Sequence, residues 1–165
     1  MSRNRTSSQS GWVNPDRLPK GPDGRPLCRY CGEEIPKGRR RTFCSDECVH
    51  EHRVRSDPGY ARNQVEKRDR GVCALCGLDT EAAAQAYWEQ PRLLRVLYSE
   101  RTGFILGAHG HAWEMDHTLP VIEGGGEAGL DNLRTLCIRC HREQTKLLAA
   151  RRSKNKTIPT LEAFF

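Results

Sequence analysis

A small α+β fold, stapled by bound metal and carrying one ββα unit, is predicted by three features of the 165-residue sequence. Mean hydropathy is −0.73 and aromatic residues make up 7% of the chain, which leaves material for only a limited apolar core. The cysteines fall in four close pairs with none left over: Cys28-x2-Cys31, Cys44-x3-Cys48, Cys73-x2-Cys76 and Cys137-x2-Cys140. A strand-like run, WEMDHTLPVI, is followed by the Gly-rich turn EGGGEAG, a second apolar stretch LDNLRTL, the CIRC pair and a helical segment from about His141 to Arg152.

Each close cysteine pair is a knuckle able to grip one side of a tetrahedral ion, so four pairs make two sites of four thiolates, and two structural Zn2+ are the economical expectation. Cys28, Cys31, Cys44 and Cys48 are separated by short loops and close on each other. Cys73 and Cys76 then meet Cys137 and Cys140; other pairings close longer loops at greater entropic cost. The start, MSRNRTSSQS, has no apolar stretch and does not read as a signal peptide, which argues for reduced thiols and a cytoplasmic location, or a nuclear one in a eukaryote. CIRCH at 137–141 also has the spacing of a covalent haem attachment site. That chemistry is normally carried out outside the cytoplasm and gives no reason for the other three pairs. No run is long enough to span a membrane, so none is expected as a partner.

Along the chain, residues 1–24 are rich in Ser, Pro, Gly and Arg and read as a disordered basic tail. Residues 25–54 form a four-cysteine zinc-knuckle module of short loops. Asp57 and Pro58 look like an N-cap and first helical residue, and Gly71 like the stop, giving a helix over 58–70. Residues 81–101 are helical in composition, interrupted by Pro91, and FIL at 104–106 suggests a short strand. Residues 55–152 thus form one domain with a helical insert at about 81–101, and 153–165 a flexible tail.

The formal charge is +6, but eight thiolates holding two Zn2+ reduce it to about +2. Distribution says more than the net value. Residues 1–41 carry ten Lys and Arg against four acids, residues 134–156 carry eight against one, and the stretch between is net acidic. Basic ends on an acidic body suggest phosphate contacts in particular regions. Solubilising tails explain the N-terminal block equally well.

Asp116 and His117 end the first predicted strand, Asn132 begins the second and His141 opens the helix, so all four are expected to converge in the cleft between hairpin and helix. This order, within WEMDHTLPVIEGGGEAGLDNLRTLCIRCHREQTK, resembles the HNH endonucleases, the ββα-metal nucleases. The stretch TFCSDECVHEHRVRSDPGYARNQVEKRDRGVCALCGLDT is similar to the region before the nuclease core in zinc-stapled HNH modules such as the one fused to annealing helicases. The resemblance implies a metal-dependent DNA endonuclease that leaves 5′ phosphate and 3′ hydroxyl. In it His117 would be the general base, Asp116 and His141 would hold one divalent cation, Mg2+ or Mn2+, and Asn132 would fix the loop or orient the His117 ring. Some members supply another ligand one turn beyond the last histidine, where this chain has Thr145.

DNA is expected to meet the site helix mostly through its phosphate backbone. Arg139, Arg142 and Lys146 are spaced to share a face beside His141, with Arg151 and Arg152 continuing the basic run. Branched or nicked DNA would be a substrate if the first zinc module recognises structure. His109 and His111 lie near enough in sequence to join the site, with a solvated loop as the default, and His50 and His52 are extra to a complete set of four cysteines. In the tail, Leu161, Phe164 and Phe165 are similar to the peptide box that docks on sliding clamps, with Ile158 where its glutamine would stand. The alternative to an enzyme is a non-catalytic, zinc-stapled DNA-binding adaptor.

Overall fold

The computed structural model describes residues 13–156. Leu161, Phe164 and Phe165, and with them the expected clamp-binding peptide, lie outside the described residues. Two compact units are formed: residues up to Gln64 together with Pro120–Asp131, and Val65–Leu119 together with the chain from Asn132. The first unit runs past residue 54 to Gln64 and takes in the loop 120–131. No described helix is long and apolar enough to cross a membrane.

In the first unit, residues 13–24, expected as tail, are bonded into the module. Asn14 caps a 3-10 turn, Pro15–Arg17, and the Gly21 N–H donates to the Arg25 carbonyl at 2.9 Å. The Leu27 N–H reaches the Pro19 carbonyl at 2.8 Å, and Arg25 pairs with Glu34 at 2.7 Å. These bonds offset the ordering entropy that composition alone leaves uncompensated. Helix α1, Asp46–Ser56, starts at Ser45, whose hydroxyl accepts the Cys48 N–H. Helix α2, Pro58–Asp69, follows, with Asp57 accepting the Tyr60 N–H at 3.0 Å as the sequence predicts.

In the second unit the insert is two helices, α3 (Thr80–Glu89) and α4 (Arg95–Thr102), separated at Pro91 by a 3-10 turn, Arg92–Leu94. Asp79 caps α3 by accepting the Glu81 and Ala82 N–H groups. The FIL segment is not a strand. Phe104 is buried beside the rings of Tyr87 and Tyr98, so its apolar character serves a core plug and not a sheet.

Strands β1, Trp113–His117, and β2, Leu133–Cys137, pair antiparallel with Trp113 opposite Cys137 and His117 opposite Leu133. The apolar residues that seemed to lengthen the strands lie in 3-10 turns, Val121–Glu123 and Leu130–Asn132. The free edge of β2 is covered: Arg68 donates to the Leu133 carbonyl, Asp69 accepts the Thr135 N–H, and Ala74 donates to the Thr135 carbonyl. Helix α5, Ile138–Lys156, starts one turn earlier than expected, so Cys140 lies in its first turn and His141 within it.

Candidate active site and metal centres

Both cysteine tetrads assemble as the pairing by loop length predicts. The sulfurs of Cys28, Cys31, Cys44 and Cys48 lie within 4.8 Å of one another, as do those of Cys73, Cys76, Cys137 and Cys140. Tetrahedral zinc with four thiolates needs sulfurs about 3.8 Å apart. Observed separations of 3.5 Å for Cys31–Cys44, 3.3 Å for Cys44–Cys48 and 3.7 Å for Cys76–Cys137 fit that requirement.

The thiol electrostatics support the same donor set. Burial pushes the Cys28 thiol up, but N–H groups of Cys31, Tyr30 and Cys44 outweigh it and bring Cys28 down to about 6. Cys73 follows the same balance and comes down to about 7. Their neighbours move oppositely. Hydrogen bonds shared with the Cys48 and Cys31 sulfurs push Cys44 up to about 12, and burial with the Cys137 and Cys76 sulfurs raises Cys140. Four sulfurs this close resist ionising together, and a dication removes that conflict. Both groups are compatible with structural Zn2+.

The residues of the predicted catalytic set are all half-buried. His117 closes β1, and the next residues are locked by Asn132. The Asn132 carbonyl accepts the Thr118 N–H at 2.8 Å, its Oδ1 accepts the Leu119 N–H at 2.7 Å, and its Nδ2 donates to the Leu119 carbonyl at 2.9 Å. These contacts make Asn132 a clamp on the turn directly after His117. Of the two roles expected for it, they serve the fixing of the loop.

Asp116 has a partner that sequence reasoning missed. Arg134, directly opposite it in the sheet, donates to Asp116 Oδ2 from Nε at 2.9 Å and from Nη2 at 2.8 Å. The signal was present in the antiparallel register, which sets the second residue after Asn132 across from the residue before His117. Both bonds end on one carboxylate oxygen, Oδ2. Among the described residues, only the two cysteine tetrads gather three or more metal-ligand atoms within 4.8 Å. Asp116 and His117, as consecutive strand residues, alternate across the sheet. Thr145 spends its hydroxyl on the His141 carbonyl at 2.9 Å.

Helix geometry corrects the placement of the basic residues. At about 100° per residue, Arg139, Arg142 and Lys146 do share a face, but its centre lies about 130° from His141. The half-buried residues His141, Gln144 and Leu148 mark the packed side of α5, whereas those three basic residues are exposed. Arg139 pairs with Glu143. Arg152 is the one that returns to the side of His141, three turns further along, and Arg151 lies between the two faces. His109 and His111 stack edge to face at 6.1 Å in a loop closed by the bond from Gly107 N–H to the His111 carbonyl. His50 hydrogen-bonds Tyr60 and His52 packs on Phe43, and neither belongs to the cysteine tetrads.

Residues 105–147 match the family model for HNH endonuclease. The mouse protein named DNA annealing helicase and endonuclease ZRANB3 is 36% identical over 152 residues, and its human counterpart 32%. Each alignment covers 80% of this chain but 14% of the relative, so the chain spans about one seventh of the length of these curated proteins. The crystal structure of the human ZRANB3 HNH domain superimposes with a TM-score of 0.50 at 32% identity, covering 61% of this chain and 97% of that one. With nearly the whole of that solved domain matched at this identity and the DH, Asn and CH positions in order on the hairpin and helix, the chain belongs to the HNH endonuclease family.

Proposed function

We propose that this chain hydrolyses DNA phosphodiester bonds, with His117 as general base and Asp116 and His141 as ligands of one Mg2+ or Mn2+. The observation that carries the reading is the Asn132 clamp, which fixes the backbone immediately after His117 within the segment matched to the family. A rigid turn there keeps the imidazole from wandering relative to a bound phosphate, and orientation is a large part of what such a base contributes. His117 accepts a proton from water, the water oxygen bonds to phosphorus, and the bond to the 3′ oxygen breaks. That oxygen takes a proton from solvent, leaving 5′ phosphate and 3′ hydroxyl. When bound, the divalent cation would neutralise charge growing on the phosphate.

Arg152, on the His141 side of α5 but about 16 Å further along it, would touch a more distant backbone phosphate, and Arg139, Arg142, Lys146 and Arg151 would contact neighbouring backbone. A branched or nicked duplex would be preferred if the first zinc module recognises DNA structure. A sliding clamp remains a candidate partner through Leu161, Phe164 and Phe165. Reduced thiols at both tetrads suit the cytoplasm or nucleus.

Two observations favour the adaptor as a second reading. Asp116 is already ion-paired with Arg134, and the Thr145 hydroxyl is bonded to the helix backbone. The deciding experiment compares zinc-loaded wild type and His117→Ala, at equal zinc content, on supercoiled plasmid and on a branched duplex with Mg2+ or Mn2+. Cutting by the wild type that falls about 100- to 10,000-fold in the variant is the expected outcome. DNA binding without cutting under either ion would leave the adaptor.

A further inference from the structure

The loop between the two strands is bonded to the first zinc module through the side chain of Arg55. Arg55, in the last turn of α1, donates from Nε to the Glu127 carbonyl at 2.9 Å and from Nη1 to the Glu51 carbonyl at 2.8 Å. It also pairs with the Glu51 carboxylate, lies 5.2 Å from the Tyr30 ring, and is only 20% exposed along its side chain. Tyr30 sits between the zinc ligands Cys28 and Cys31. Arg55 therefore joins the first knuckle, α1 and the loop into one contact.

The loop is shaped to receive it. Gly129 has φ +76°, and a Cβ there would stand 2.7 Å from Arg55 Nη2. Three consecutive glycines, Gly124 to Gly126, give this segment more conformational freedom to lose than an ordinary loop has. Bonds within it, from Glu123 and Gly125 to Pro120, from Gly124 to Val121 and from Ala128 to Gly125, are local. Apart from these, a charged group bonding the loop carbonyl from residue 55 is a long-range restraint on its shape. The loop's two ends run directly into Leu119 and Asn132, the pair whose bonds fix the turn after His117.

We propose that Arg55 is a positioning residue for the nuclease reaction: it makes the first zinc module a strap on the 120–131 loop, so that a zinc site without catalytic ligands sets the geometry after His117. This rests on the nuclease reading above, and the tests separate the two. Amide hydrogen exchange is measured on zinc-loaded wild type, Arg55→Ala, Gly129→Ala and the double variant, each checked for two zinc equivalents. Plasmid cleavage with Mg2+ or Mn2+ is measured on the same samples.

Expected is faster exchange at Gly124, Gly125 and Ala128 in both single variants, with α5 unchanged. The turnover rate should fall about 10- to 100-fold while the Michaelis constant changes less than about twofold. Both substitutions disturb the same contact, and Gly129→Ala adds backbone strain of its own at φ +76°, so the double variant should be little worse than Gly129→Ala alone. Arg55→Lys, which keeps the charge but cannot serve Glu51 and Glu127 together, should fall in between. Unchanged loop exchange overturns the strap whether or not the wild type cuts DNA. Fully additive losses, or a wild-type turnover rate in Arg55→Ala, overturn its catalytic role. Faster loop exchange with no cutting by the wild type would uphold the strap and count against the nuclease reading alone.

Discussion

The two zinc knuckles are built alike and used differently. In each, the residue after the second cysteine is a glycine in the left-handed region, Gly32 at φ +76° and Gly77 at φ +70°, because the chain must turn back without a Cβ to aim N–H groups at sulfur. The Gly32 N–H returns to the Cys28 carbonyl at 3.1 Å and the Gly77 N–H to the Cys73 carbonyl at 2.9 Å, and short bridges, Leu27–Glu34 and Val72–Asp79, follow in the same register. The difference lies in the other two ligands. Cys44 and Cys48 flank the start of α1, whereas Cys137 ends β2 and Cys140 begins α5. In the second tetrad Cys73, Cys137 and Cys140 are packed with Leu136 and Leu78 into an apolar cluster, while in the first only Cys28 is buried. One tetrad sits in an apolar core, whereas the other belongs to a surface module that holds the 120–131 loop through Arg55.

The largest expected effect follows from that contrast. Cys140→Ser should remove the second zinc and with it the folded hairpin and α5. Structural zinc contributes on the order of 10 kcal/mol, comparable to the whole stability of a small domain. The checks are one zinc equivalent by metal analysis and loss of the fluorescence signature of Trp113, which is 3% exposed. Cys48→Ser should be milder. It should also leave one zinc, but with the hairpin and α5 intact by amide exchange, faster exchange in 120–131, and cleavage reduced about tenfold through the lost strap. Collapse of the hairpin in that variant would break the comparison and make the two sites equivalent staples.

Much of this organisation was legible in the sequence because it rests on local rules. Spacing paired the cysteines, Asp57-Pro58 opened α2, and Pro91 split the insert. Two classes of feature were not legible. Phe104 looked like a strand residue because a core plug and a strand have the same composition, and only the positions of Tyr87 and Tyr98 distinguish them. Partners distant in sequence were the other class. Arg55 and Glu127 are 72 residues apart, and nothing near either predicts the contact. Arg134 opposite Asp116 was within reach of a register argument. The placement of Arg139, Arg142 and Lys146 beside His141 failed on helical phase, since their shared face is turned about 130° from it.

A finer comparison uses the two carboxylates at the ends of α2. The Arg68 guanidinium holds the Asp69 carboxyl below its usual range; burial opposes this and the Thr135 N–H reinforces it. Asp57 is also held low, first by the Tyr60 N–H, with its own burial opposing and Arg53 assisting, but it is half exposed. Both shifts are downward, so each charge stabilises the fold fully above the unfolded value of about 3.9 and ceases to do so as the pH falls through the lower folded value. Asp69→Ala should therefore cost about 1.5–3 kcal/mol in urea unfolding of the zinc-loaded protein at neutral pH, and that cost should stay constant from about pH 8 down to about pH 5 because Asp69 remains ionised throughout. Asp57→Ala should cost less, with the same flat profile. A cost for Asp69→Ala that fades well above pH 5 would mean the carboxylate does not grip the edge of β2. The second unit would then depend on its zinc alone, and the difference between the two tetrads would be larger than the covered sheet edge implies.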